Sequence, residues 1–356
     1  MIKVETKSKV IGRPQYSKNI VKSKPQLVAF GDIDMFNSGN VKLLWTPTEV
    51  CNFNCSYCGY KRIKNPHHST NGDIKRSIKF MERIQDVKII KKLFIIAAEP
   101  TLVKNLDLII GTIKPLLINC DIITLYSNMS ASIDLYRKIM DLFIDGSMMF
   151  SLFPSFHKKD IDVDVFMGKL WTLKEEYSNY SNISLDSISF MVEDDDYHER
   201  AKEVYEKYPG LRFHLFPIRE KGDIIKIEQQ FYQEPYKTKN NIVKIYKDGS
   251  EYFYTKFLNN ELPLVPEFKN FICQSWDNLL YLDAKGYLRY CTLTNPQWDM
   301  NIKDLEETIQ KLRNKKRQVC NVSQCFCDWD VPKYKISEYN KIKSWTKKDI
   351  LQLKML

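Results

Sequence analysis

Between about residues 41 and 220, short apolar runs rich in β-branched and aromatic residues alternate with helix-length amphipathic segments. That alternation predicts parallel strands joined by helical crossovers. Strands are expected at 41–46, 92–97, 122–127, 148–153, 187–192 and 212–217, with helices near 73–87, 104–118, 131–143, 163–177 and 196–207. The helix near 196 follows an acidic run, Glu193 to Asp196, whose carboxylates suit the positive end of a helix dipole. Six β/α units make a partial (β/α)6 barrel, an α/β fold in which ligands collect at the carboxyl ends of the strands.

The flanks differ from this body. Residues 1–40 are polar and basic with weak periodicity and read as an N-terminal extension. Residues 221–265 read as a bridge, with two strands around the turn signal Asp248-Gly249. A small cysteine-rich module follows at 266–330, and 331–356 is a basic tail.

Composition narrows the classes. The apolar fraction of 44%, with 19 Phe and 20 Tyr, is enough for a substantial core. No run of eighteen apolar residues and no leader-like apolar stretch is present, so a cytoplasmic protein without a membrane span is expected. The formal charge of +10 is concentrated in the two tails, which leaves the body between them near neutral. Basic tails of this kind are usually solvated, which argues against a nucleic-acid partner.

In a reducing compartment, nine cysteines read as ligands rather than disulfides. Cys120 stands alone in an apolar stretch and reads as a core residue. Three others form the run Cys51-Asn-Phe-Asn-Cys55-Ser-Tyr-Cys58, just after the first barrel strand. Their spacing suits a compact loop whose thiolates converge on one iron–sulfur cluster, and three ligands leave one iron open for a substrate or cofactor. A zinc site completed by a distant fourth ligand is the competing reading.

This C-x3-C-x2-C spacing, with an aromatic residue before the last cysteine, resembles the signature of radical S-adenosylmethionine (radical SAM) enzymes. The resemblance covers about residues 41–220 and implies their partial barrel. It also implies a [4Fe–4S] cluster on Cys51, Cys55 and Cys58 that chelates S-adenosylmethionine. Reductive cleavage of the cofactor would then give methionine and a 5′-deoxyadenosyl radical, with a flavodoxin- or ferredoxin-type protein as electron donor.

After the second strand, Ala97-Ala98-Glu99-Pro100 stands where the family usually has Gly-Gly-Glu-Pro, a segment implied to hold the amino group of the cofactor's methionine moiety. Alanine keeps a close backbone approach possible but excludes the φ > 0 conformations that glycine reaches freely, so a loop of slightly different shape is expected. Ser127 and Asn128 resemble the polar tip that contacts the cofactor, although a Ser-Asn turn is also an ordinary helix N-cap. Ser151 keeps the family's cofactor-facing position in the fourth strand, where the family's aspartate is missing. Met191 and Tyr57 would line the adenine pocket by resemblance, and a core would explain them equally well. His157, near the barrel mouth, reads either as a catalytic acid or base touching substrate or as a surface-loop histidine.

The second cysteine group is Cys273, Cys291, Cys320, Cys325 and Cys327. The segment between the first two reads as a β-hairpin with a turn at Gly286. This C-x12-G-x4-C pattern resembles the opening of the auxiliary-cluster domains called SPASM and Twitch. Five cysteines complete one four-iron cluster and not two, so one auxiliary [4Fe–4S] cluster is expected, on Cys273, Cys291, Cys320 and either Cys325 or Cys327. A structural zinc is the rival there. Relatives with such modules act on peptides, sulfatase-like proteins and aminosugars or cyclitols, so the substrate expected is a small polar molecule such as a sugar or cyclitol, or a peptide. The different class to weigh against an enzyme is an iron–sulfur or zinc scaffold that binds a partner through its basic tails.

Overall fold

The computed structural model describes residues 27–32, 40–55, 65–96, 98–157, 159–185, 187–192, 203–204, 206–208, 212–217, 219–220, 223–224, 242–246, 251–253, 271–273, 278–289, 307, 310, 318–319 and 333–335.

In chain order the first half contains β1 (Leu27–Asp32), β2 (Asn40–Trp45), α1 (Asn71–Ile84), β3 (Ile89–Ile95), α2 (Leu106–Ile113), β4 (Ile122–Ser127), α3 (Ile133–Asp141), β5 (Met149–Phe156) and α4 (Val163–Glu176). Then come β6 (Ile183–Ser184), β7 (Ser187–Val192), β8 (Arg212–Pro217), β9 (Arg219–Glu220), β10 (Asp223–Ile224), β11 (Ile242–Tyr246) and β12 (Glu251–Phe253). The last strands are β13 (Phe271–Cys273), β14 (Leu279–Leu282), β15 (Leu288–Arg289), β16 (Gln318–Val319) and β17 (Lys333–Lys335).

All six expected barrel strands are present. They pair in parallel in the order β2-β3-β4-β5-β7-β8, with β6 beside β5. The fold is therefore α/β with a parallel sheet of the partial-barrel kind. Period-two burial along the strands explains the packing: β5 alternates buried and partly exposed residues along its whole length. Val41, Leu43 and Trp45 of β2, Leu93 and Ile95 of β3, Ile123 and Leu125 of β4, and Phe150 and Leu152 of β5 meet the helices in one core. The helices contribute Phe80, Met81 and Ile84 of α1, Ile110 of α2, Ile139 of α3 and Leu170 of α4.

The boundaries have local causes. Thr70 and Asp73 form a reciprocal capping box that starts α1. Asp162 caps α4 by accepting from the amides of Asp164 and Val165. The helix expected to run to 118 ends at Ile113 and tightens into a 3-10 turn over Lys114–Leu116, because Pro115 brings no N–H. β5 continues three residues beyond the expected end at 153: Tyr126 and Ser127 pair with Phe153 and Pro154, and Ser155 and Phe156 pair with β7. Most of the helix expected near 196–207, and the acidic run before it, lie outside the described residues.

Two arrangements were not anticipated. The hairpin β14–β15, expected from sequence, places β14 parallel to β2 and so extends the barrel sheet at its first edge. A second, antiparallel sheet has the order β12-β11-β1-β17-β13-β16. It contains the two strands expected around Asp248-Gly249, and it joins Leu27–Asp32 to Lys333–Lys335, segments that read as parts of terminal tails.

Candidate functional site

The loops that follow β2, β3, β4 and β5 meet at the carboxyl end of the parallel sheet. They are tied together by main-chain bonds: Ile96 N–H donates to Trp45 O at 2.9 Å and Glu99 N–H to Val50 O at 3.2 Å. The cysteine loop is thereby held against the loop carrying Ala98 and Glu99.

Glu99 is fully buried. Its Oε1 accepts from Thr101 N at 3.1 Å, Thr101 Oγ1 at 2.5 Å and Ser127 Oγ at 2.9 Å, and its Oε2 accepts from Asn128 N at 2.6 Å. Burial pushes its pKa above the ordinary glutamate range, while these four donors oppose the rise. The carboxylate thus joins the β3 and β4 loops from within, and Tyr136 of α3 extends the network through Ser127 at 2.7 Å. What the segment can offer a ligand is its backbone, as the resemblance implies. Ala98 adopts φ +44°, so the expectation that alanine would forgo the left-handed conformation is corrected. The local strain of roughly 1–2 kcal/mol is borne by the surrounding bonds.

Asn128 sits at the end of β4, with Nδ2 donating to Asn52 Oδ1 at 3.0 Å and lying 3.8 Å from Cys51 Sγ. Its Oδ1 accepts from Ser130 N at 3.0 Å, and the next residue, Met129, has φ +59°. Lys169 of α4 fixes this turn by donating to Met129 O at 2.9 Å and Ala131 O at 2.8 Å. Burial lowers the lysine's pKa.

Cys51 is half-buried and Cys55 buried. Phe53 N–H points at Cys51 Sγ at 3.4 Å. Amide donors aimed at sulfur are what a thiolate ligand of an iron–sulfur cluster needs to spread its charge, so these residues fit such a group. Cys58, Tyr57 and Ala97 lie outside the described residues, and among the described ones no three His, Cys, Asp or Glu side chains form a metal-binding group.

His157 follows β5 directly, and its Nδ1 lies 3.4 Å from Cys55 Sγ. Its ring meets Phe53 edge-on, with centroids 5.7 Å apart. Burial pushes its pKa down to about 4, with the Asp160 charge opposing the fall. The ring is directed at a cysteine sulfur at the carboxyl end of the sheet. Asp160, which sequence reading missed, bridges the same loop: Oδ1 accepts from Asn54 N at 3.2 Å, and Oδ2 is 3.3 Å from Cys55 Sγ. Its only signal in sequence is a His-x-x-Asp pair after a strand.

Ser151 is partly exposed and lies in register with Thr124, on the face opposite the helix-packed core. Phe94, Tyr126 and Phe153 share that face, with ring centroids 6.0 and 4.9 Å apart in sequence order. Met191 is in the last part of β7. Cys120 is buried, as expected, and burial pushes its thiol up to about 11. Cys273 is buried against Leu44 and Leu279, whereas Cys291, Cys320, Cys325 and Cys327 lie outside the described residues. No helix among the described residues is long and apolar enough to cross a membrane.

No protein-family model matches the chain, and no curated protein matches it. Among solved structures it is similar to BtrN in complex with AdoMet and 2-DOIA, at 13% identity, 77% of this chain, 82% of that chain and a TM-score of 0.41. It is also similar to native anSMEcpe with bound AdoMet and Cp18Cys peptide, at 12% identity, 78% and 80% coverage and a TM-score of 0.48. SuiB from Streptococcus suis matches at 11% identity, over 77% of this chain and 65% of that one, with a TM-score of 0.43. A parallel sheet with its cysteine loop at the carboxyl end of the first barrel strand is the fold that the sequence resemblance implies.

Proposed function

We propose that this chain is a radical SAM enzyme in which Cys51, Cys55 and Cys58 hold a [4Fe–4S] cluster. The observation that carries the reading is the cysteine loop itself. It sits at the carboxyl end of β2, receives N–H donors at Cys51 and lies against a loop braced by the buried Glu99. The cluster, when bound with S-adenosylmethionine, would supply reductive cleavage of the cofactor and so the hydrogen abstraction from an unactivated carbon. The protein's own work is to bind, orient and exclude. Glu99 ties the β3 and β4 loops together, and the backbone at Ala98 would hold the methionine end of the cofactor, as the sequence resemblance implies. Asn128 and Ser127 stand beside it, and Ser151, Tyr57 and Met191 are assigned to the cofactor by the sequence resemblance. The partly exposed face carrying Phe94, Tyr126 and Phe153 is the surface available to shield a reactive substrate from water.

The auxiliary [4Fe–4S] cluster on Cys273, Cys291, Cys320 and one of Cys325 and Cys327 belongs to this proposal, as do a sugar, cyclitol or peptide substrate and a flavodoxin- or ferredoxin-type donor. The net outcome would be oxidation, epimerisation or cross-linking of that substrate. The test is anaerobic reconstitution with iron and sulfide, reduction by dithionite and chromatography for 5′-deoxyadenosine. Wild-type protein should form the nucleoside and Cys55→Ala should not. No nucleoside from either, with metal bound, would favour the scaffold reading. About eight irons per chain would support the auxiliary cluster, and about four would remove it.

A further inference from the structure

Cys55 is gripped by a second loop. β5 runs on to Phe156 and delivers His157 at the sheet's carboxyl end, with Nδ1 3.4 Å from Cys55 Sγ. The chain then turns tightly: the amides of Asp160 and Ile161 both donate to His157 O, at 3.0 and 3.2 Å. That turn sets the Asp160 carboxylate on the same sulfur, with Oδ2 at 3.3 Å, while Oδ1 accepts from Asn54 N at 3.2 Å. Phe53 packs edge-on against the imidazole and limits its rotation. Cys51 has different surroundings, with amide donors from Phe53 and Asn128 at its sulfur.

We infer that His157 and Asp160 are positioning residues that set the reduction potential of the cluster through Cys55, and that they act in opposite senses. This rests on the reading of Cys55 as a cluster ligand. A sulfur bound to iron carries no proton, so the 3.4 Å contact then has Nδ1–H as donor. An N–H directed at a ligand sulfur withdraws charge from it and favours the reduced, more negative cluster, which raises the potential. A carboxylate 3.3 Å from the same sulfur repels the added electron and lowers it. The pair therefore holds the cluster between two limits.

The experiment is a redox titration, followed by electron paramagnetic resonance, of the full chain reconstituted with iron and sulfide. The proteins compared are wild type, His157→Phe, His157→Asn and Asp160→Asn. Phenylalanine keeps the ring contact with Phe53 and removes the donor, so the reduction equilibrium should fall about tenfold, roughly 59 mV for a one-electron couple. Asparagine at 157 restores an N–H near the Nδ1 position and should return the midpoint to that of the wild type. Asp160→Asn should raise the midpoint by a similar factor. A bound cluster with one midpoint in all four proteins, or with His157→Phe and Asp160→Asn shifted in the same direction, would overturn the inference and leave the proposed function standing. A wild-type protein that binds no cluster would overturn the proposed function, and this inference with it. Should His157→Phe fail to assemble a cluster, the near-isosteric Asp160→Asn decides alone: a raised midpoint supports the inference, and an unchanged or lowered one overturns it.

Discussion

At the scale of single residues, two positions carry opposite lessons. Ala98 occupies a left-handed conformation that glycine would adopt freely, so the loop keeps a glycine-like backbone against the side chain's preference. Ala98→Gly should stabilise the chain by about 1 kcal/mol, the relief of strain exceeding the added freedom of the unfolded chain, as measured by urea unfolding. A destabilised variant would show that the strain is not there. Glu99 is the reverse case, a residue whose carboxylate is engaged inside the protein as a brace between two loops. Glu99→Ala leaves the donors from Thr101, Ser127 and Asn128 without their acceptor, and should cost about 3 kcal/mol in the same measurement. Ser127→Ala should cost about 2 kcal/mol, because it removes a donor to Glu99 and leaves the Tyr136 hydroxyl and the Met129 amide without their buried partner. The motif Ala-Ala-Glu-Pro was legible in sequence, but the direction of its carboxylate was not. That direction depends on where β4 ends, which is a property of two strands at once.

At the scale of elements, α1 shows how a local signal acquires a long-range task. Asp73 is opposed by burial, yet the Thr70 amide and hydroxyl, His67 and Arg76 together hold its pKa at about 2, below the ordinary 3.8. A depressed carboxylate pKa means stability that is present above the unfolded value and lost as pH falls through the folded one. The chain should therefore weaken as pH falls from about 4 to 2, and Asp73→Asn should remove part of that dependence while lowering stability at pH 7. Urea midpoints across pH check both statements. The same helix start receives the β14–β15 hairpin. Gly286 has φ +73°, and an added Cβ would lie 2.8 Å from Asp73 O, while Arg76 stacks on the Tyr287 ring at 4.7 Å. Gly286→Ala should cost about 2 kcal/mol or more, read as a lower melting temperature, since both the turn and the docking oppose it. Sequence supplied the hairpin and its glycine. That the glycine faces a helix of the barrel follows only from the packing of the two.

At the scale of the whole molecule, the parallel sheet reaches from β8 to β14, and its inner strands have partners on both sides. Amides of β3 and β4 should accordingly exchange more slowly with deuterium than those of the edge hairpin, a difference that mass spectrometry resolves and that equal rates would refute. The alternation of strands and helices over 41–220 determined the six parallel strands and their order of pairing with little ambiguity, because each β/α unit is local and a right-handed crossover puts the next strand beside the last. The spacing of Cys51, Cys55 and Cys58 likewise pointed to three thiolates on one loop, since ligands four and three residues apart need no distant partner, while the chemistry expected there came from the family resemblance. Tertiary structure decided the rest. Only a folded chain pairs Leu27–Asp32 with Lys333–Lys335, sets β14 beside β2, and brings His157 and Asp160 onto the sulfur of Cys55 across more than a hundred residues. Those contacts depend on where strands end and which edges remain open, and neither is written in the period of a hydrophobic pattern.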